Sequence, residues 1–183
     1  MATSIAMCSN ALLMIGHGTI SSFTEGGAGA EAASNLYNST YEALLTVHRW
    51  RFASAKSQLG QLTDTPLNEW TYAYQLPSGY LMGIKTYPDV DYEVFENKLY
   101  ANANSVALDY LFKPDESRLP PYFVKALEYD LASQFSVPVT GNRSLGALYA
   151  ERFEIQLRRA KFADSQSRPI EGIVDSPLTE VRQ

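Results

Sequence analysis

The chain has 183 residues, 45% of them hydrophobic and 19% charged; that is enough apolar material to bury a core in one compact domain, or in one with an insertion, and too much for a disordered chain. A formal net charge of -5 argues against a dedicated nucleic-acid binder, whose footprint is normally basic. The lone Cys8 excludes an internal disulfide, and one cysteine with only His17 and His48 supplies no zinc-ligand spacing, so packing must hold the fold together.

In chain order, Ser4 to Ile15 carries Ile5, Cys8, Leu12 and Ile15 on one helical face, with Gly16 where a C-cap is expected. The apolar run Ala11 to Ile15 is too short to span a bilayer and lacks a preceding basic segment, so the expectation is a soluble, intracellularly made protein without membrane contact. The following GHGTISSFTEGGAGAE reads as a loop tacked to the core by Ile20 and Phe23. A second helix is predicted from near Gly29 or Ala30, with its most periodic stretch running from Ala32 to Phe52. Leu36, Thr40, Leu44 and Val47 line one face, and Tyr37, Tyr41 and His48 lie one position over.

From Ala53 to Ser117 the pattern becomes two-periodic. Trp70, Tyr72 and Tyr74 alternate, as do Tyr92 and Val94; further predicted strands are Tyr80 to Tyr87, Lys98 to Ala101 and Val106 to Phe112, with Glu96-Asn97-Lys98 as a hairpin tip. The segment holds ten aromatic residues and a local net charge of -5, from nine acidic and four basic residues. Helix returns at Leu119 to Phe135, where Pro120 and Pro121 suit a first turn and Val137-Pro138 is the expected stop. The last helix is expected to start at Asn142 or Ser144 and to run through Leu145, Leu148, Tyr149, Ile155 and Ala160 to about Gln166. Pro169 to Gln183 has no period and reads as an extended arm, disordered alone. The predicted fold class is therefore α+β: a four-helix bundle formed by residues 1-52 and 118-168, an aromatic-rich antiparallel β insertion at 53-117, and an arm at 169-183.

Each candidate for chemistry has a plainer reading beside it. Gly16-His17-Gly18 and Gly26-Gly27-Ala28-Gly29 could cradle a phosphate, but no strand precedes them and no GK[ST] follows, which favours an interhelical turn. His17 and His48 could act as acid and base, although no nucleophile or carboxylate has supporting spacing. On a strand, Asp89, Asp91 and Glu93 would share one side and could hold a cation; a solvated face is the expected alternative. Trp70, Tyr72 and Tyr74 could stack single-stranded nucleic acid, against which the acidic surroundings favour core packing or a subunit interface. The Arg152, Arg158, Arg159 and Lys161 group is either a solvated face or a docking surface. No catalytic, cofactor or metal residue is assigned, and the expected function is not enzymatic.

The order of the pieces is the most specific signal. Ala11-Leu12-Leu13-Met14-Ile15-Gly16, Leu44-Leu45 with Trp50-Arg51-Phe52-Ala53, Tyr92-Glu93-Val94 through Lys98-Leu99-Tyr100, and Ala160 with Asp164 and Gln166 together resemble the tail tubular protein A family of bacteriophages, over about Ile5 to Gln166. The resemblance implies a head-to-tail adaptor: a dodecameric ring between the portal protein and the distal, nozzle-type tail protein. DNA would pass through its channel without sequence-specific binding. It implies a place in the virion at the head-tail junction, after assembly in the host cytoplasm. Glu96-Asn97 departs from the glycine common at that hairpin tip in such proteins. The expected portal or subunit interface is Arg152, Arg158, Arg159 and Lys161 with Ile170, Ile173, Val174 and Leu178; Trp50, Arg51 and Phe52 are the expected junction between bundle and insertion. The alternative is a surface-recognition or carbohydrate-binding tail module that uses the Tyr-rich β segment.

Overall fold

A computed structural model describes residues 3-63, 66 and 69-166. The arm residues Ile170, Ile173, Val174 and Leu178 lie outside the described residues. Four helices and two small antiparallel sheets follow one another as α1 (Ser4–Met14), α2 (Ala28–Thr46), β1 (Ser54–Gln58), β2 (Tyr72–Gln75), β3 (Tyr80–Tyr87), β4 (Tyr92–Phe95), β5 (Lys98–Ala101), β6 (Ala107–Phe112), α3 (Pro121–Thr140) and α4 (Arg143–Ser165). Among the described residues, no helix is long and apolar enough to cross a membrane.

The first helix forms as its stripe predicts. Thr3 caps it by accepting from the Ala6 amide, and Met7, Cys8, Ala11 and Leu12 are buried. Ile20 is buried and Phe23 packs on the same core, so the glycine loop is anchored as expected. Gly29 is needed for close approach: a Cβ there would lie 2.9 Å from the His17 ring. In α2, Tyr37, Thr40, Tyr41, Leu44 and Leu45 face inward.

The second helix stops at Thr46, well short of Phe52. Its last turn is closed by the chain folding back, because the Trp50 indole donates to the Leu44 carbonyl at 2.9 Å and satisfies an acceptor that a further helical turn would otherwise have bonded. Val47 is left 48% exposed, outside the stripe to which its spacing assigns it. A 3-10 turn at Arg51–Ala53 then feeds β1.

One sheet has the order β1-β6-β3 and the other β2-β5-β4. Ser54 pairs with Leu111 and Gln58 with Ala107 in the first sheet, and Tyr72 with Ala101 in the second. The β4-β5 hairpin turns at Glu96-Asn97, with Glu96 at φ +53°. Leu59, Tyr74, Leu76, Leu99, Val106 and Leu108 form a core of their own. A contact at Gly83 of β3 ties the sheets: a Cβ there would lie 2.7 Å from the Tyr92 hydroxyl of β4, and its amide donates to the Tyr80 hydroxyl at 2.8 Å.

Pro138 does not end α3, which continues to Thr140. In the final turns a proline removes one amide donor, and nearby hydroxyls add bonds of their own: Ser136 donates to Ala132 and Thr140 to Ser136. The stop is Gly141, in the left-handed region at φ +67°, whose amide reaches Val137 at 2.9 Å. Asn142 then caps α4 by accepting from Leu145 at 3.0 Å. The third helix is central: α1, α2 and α4 all pack on it. Its Phe123, Leu127, Leu131 and Phe135 are fully buried.

Candidate functional site

Three surfaces concentrate the polar chemistry. The first is a cleft where α2 exits, lined by His48, Arg49, Arg51, Ser54, Asp164 and Ser165. Asp164, from the last turn of α4, is buried and holds the cleft together. It accepts from the Arg51 amide at 3.1 and 3.3 Å and from the Tyr122 hydroxyl at 2.8 Å, and the His48 ring nitrogen lies 3.7 Å away. Burial holds the His48 pKa below its ordinary value; the Asp164 carboxylate opposes this and Lys161 reinforces it. The Asp164 carboxylate, bonded at once to the Arg51 amide and the Tyr122 hydroxyl with the His48 ring beside it, ties the α2 exit to α3 and α4. No serine or cysteine among the described residues bonds to the His48 ring.

The expected junction residues lie at this cleft. Trp50 is fully buried, with ring centroids 5.2 Å from Phe123, 4.9 Å from His48 and 5.9 Å from Phe52. Phe52 is half-buried and also meets Phe123, at 5.0 Å. Arg51 contributes its amide to Asp164 while its side chain is exposed. Arg49, which spacing does not single out, makes a direct polar link between the α2 exit and the first sheet: its guanidinium bonds the buried Asp109 of β6 at 2.5 Å, with Lys56 at 4.0 Å. Tyr41 donates to the Pro114 carbonyl and Lys113 bonds Glu42 at 2.8 Å, so α2 is tied to the end of the β segment as well as to its beginning.

The second surface is the outer side of α4. Arg152, Arg158 and Arg159 are exposed and make no ion pair among the described residues; Lys161 is half-buried. Arg152 lies over the Tyr149 ring, 5.3 Å from its centroid. Leu148 and Ile155, expected on the core stripe, are 41% and 38% exposed and share this outer side with Phe162 at 66%. The buried row is instead Gly146, Tyr149, Leu157, Ala160 and Asp164, and only Tyr149 and Ala160 belong to both readings.

The third is a cleft in the β segment lined by Trp70, Asp89, Val90, Asp91 and Asn102. The strand that would align three carboxylates begins only at Tyr92, so Asp89 and Asp91 lie in the preceding loop and only Glu93 is in β4. Asp89 bonds Lys85 at 2.9 Å and Glu93 accepts the Trp70 indole at 3.0 Å, so two of the three carboxylates already have partners. Trp70 precedes its strand and is half-buried; Tyr74 is buried, with its hydroxyl on the Ala103 carbonyl. A stacking row of Trp70, Tyr72 and Tyr74 is therefore not formed. Among the described residues no group of three metal-ligating side chains comes together.

Compared with known protein families and with curated proteins, the chain matches none of either.

Proposed function

We propose that this chain is a structural adaptor of a tailed bacteriophage, a ring subunit that joins the portal protein to the distal tail and lets DNA pass. In this reading the helices are a four-helix bundle built from residues 1-52 and 118-168, and the β segment at 53-117 is an insertion between its halves. The observation that carries it is, among the described residues, the order of elements, two helices, six strands and two helices, with the last helix presenting large apolar side chains and arginines without an ion pair outward. Such a face suits contact with other subunits. An acidic majority repeated around a closed ring, where it faces the lumen, repels passing DNA instead of gripping it. The test mixes full-length protein with portal rings of its phage and measures particle mass. Twelve copies added per portal support the proposal, and no added mass overturns it. Removing Pro169 to Gln183 is expected to leave the helices folded and to weaken that attachment.

The cleft beside Trp70 favours a second reading, a carbohydrate-binding tail module, because an aromatic ring flanked by Asp89, Asp91 and Asn102 combines a stacking face with hydroxyl partners. Binding to host surface polysaccharide that is lost in Trp70→Ala would support it. A flat titration would remove it.

A further inference from the structure

Leu148, Ile155 and Phe162 are seven residues apart on α4. At 3.6 residues per turn, seven residues drift by only about 20°, so the three form one nearly axial row about 21 Å long. Single exposed apolar residues are ordinary, whereas a row at this spacing has the form of a helix-packing seam. Arg152 and Arg159 flank it on one side, and Arg158 with the exposed Glu151 on the other. Over Arg143–Ser165, five basic and three acidic residues give the helix a net +2.

A matching surface lies elsewhere on the same chain. Ala28–Thr46 has Glu31 and Glu42 and no basic residue, a net of -2. Its exposed side borders an apolar groove between α2 and α3, lined by Ala32, Leu36 and Pro138, with Glu31 and Asn35 beside them. Glu42 is answered by Lys113, but Glu31 is exposed and has no ion pair among the described residues. The two surfaces cannot meet within one molecule. Phe123 of α3 packs on Tyr41 of α2, whereas Tyr129 and Ser133 of α3 meet Tyr149 and Gly146 of α4, and α2 and α4 make no extended contact with each other.

We infer that the α4 row is the seam for a second copy of this chain, seated head to tail against the α2-α3 groove of its neighbour. A contact between two different faces propagates from copy to copy and closes into a ring when the rotation per step allows it. The contact deepens the adaptor reading and rests on it only for closure.

Cysteine exchange tests the pairing with the full chain. Cys8 is buried, with burial pushing its thiol pKa up to about 12, so it does not compete. Ile155→Cys and Asn35→Cys proteins, made separately, are mixed under mild oxidation, with Ile155→Cys plus Gln58→Cys as control. A disulfide needs Cα atoms within about 7 Å. The expected result is a mixed disulfide at least roughly tenfold more abundant than in the control, abolished by adding Phe162→Glu to the Ile155→Cys chain, with the circular dichroism unchanged. Dominant Ile155→Cys homodimers would mean that the row pairs with itself and would overturn the inference, as would cross-linking no better than control. Portal-mixing mass separates the two levels: twelve copies added without the Ile155-Asn35 disulfide sink this contact and leave the adaptor, and the disulfide without portal attachment does the reverse.

Discussion

Replacing Trp50 with alanine tests whether the α2 exit is a packed cornerstone. An aromatic side chain of this size buries on the order of 150–250 Å², worth roughly 4–6 kcal/mol at about 25 cal/mol per Å². Alanine retains a small part of this, and the extended-chain reference overstates the rest. Against that, Trp50 is fully buried among Phe123, Phe52, Tyr122 and His48, so the hole has rigid aromatic walls on several sides and collapses poorly. The Leu44 carbonyl also loses the indole donor, about 1 kcal/mol more. The expected loss is about 4–5 kcal/mol, read from urea denaturation followed by circular dichroism, with a melting temperature lower by roughly 10–15 °C for a chain of this size. Trp50→Phe keeps a ring and should lose about half as much. A loss below about 2 kcal/mol for alanine would refute the reasoning, because it would mean that the pocket closes over or is open to water.

Gly83→Ala forces a methyl to within 2.7 Å of the Tyr92 hydroxyl and should cost about 1–3 kcal/mol; combining it with Tyr92→Phe should recover most of that loss in urea titrations. Arg49→Ala leaves the Asp109 carboxylate buried with only Lys56 nearby. A loss of about 1–2 kcal/mol is expected, smaller in high salt, by comparing urea midpoints at two ionic strengths. Asp130 has its pKa raised to about 6 by burial and the Glu154 carboxylate, opposed by a bond to Gln134. The folded state therefore holds this proton more tightly than the unfolded chain, and its contribution to stability falls as pH rises from about 4 to 6. Asp130→Asn should gain about 1–3 kcal/mol over the parent at pH 7, with no difference below about pH 4 in urea titrations across pH.

Sequence pattern located what local physics decides. The cap at Asn142, the first helix and the strands Tyr80–Tyr87 and Lys98–Ala101 follow from side-chain period and turn chemistry within a few residues. The first strand, SAKSQ, has no β-branched or aromatic residue to mark it in the sequence; its extended form comes from pairing with β6, about fifty residues away. Two apolar rows run along α4, and period alone cannot tell which faces α3. Tyr149, Leu157 and Ala160 do, which turns Leu148 and Ile155 outward. The Arg49-Asp109 pair and the Asp164 hub are equally invisible in a linear reading, since each joins residues more than forty positions apart.

Asp164 gives the fold a mechanical character. It stands two residues before the end of the described chain, yet its carboxylate grips the backbone at Arg51 and the Tyr122 hydroxyl at the start of α3. A pull applied beyond Gln166 is therefore shared at once among the last helix, the helix beneath it and the root of the first strand. Tension cannot peel α4 away turn by turn before that three-way latch fails, so a tether fixed at this end would draw on the resistance of the whole fold.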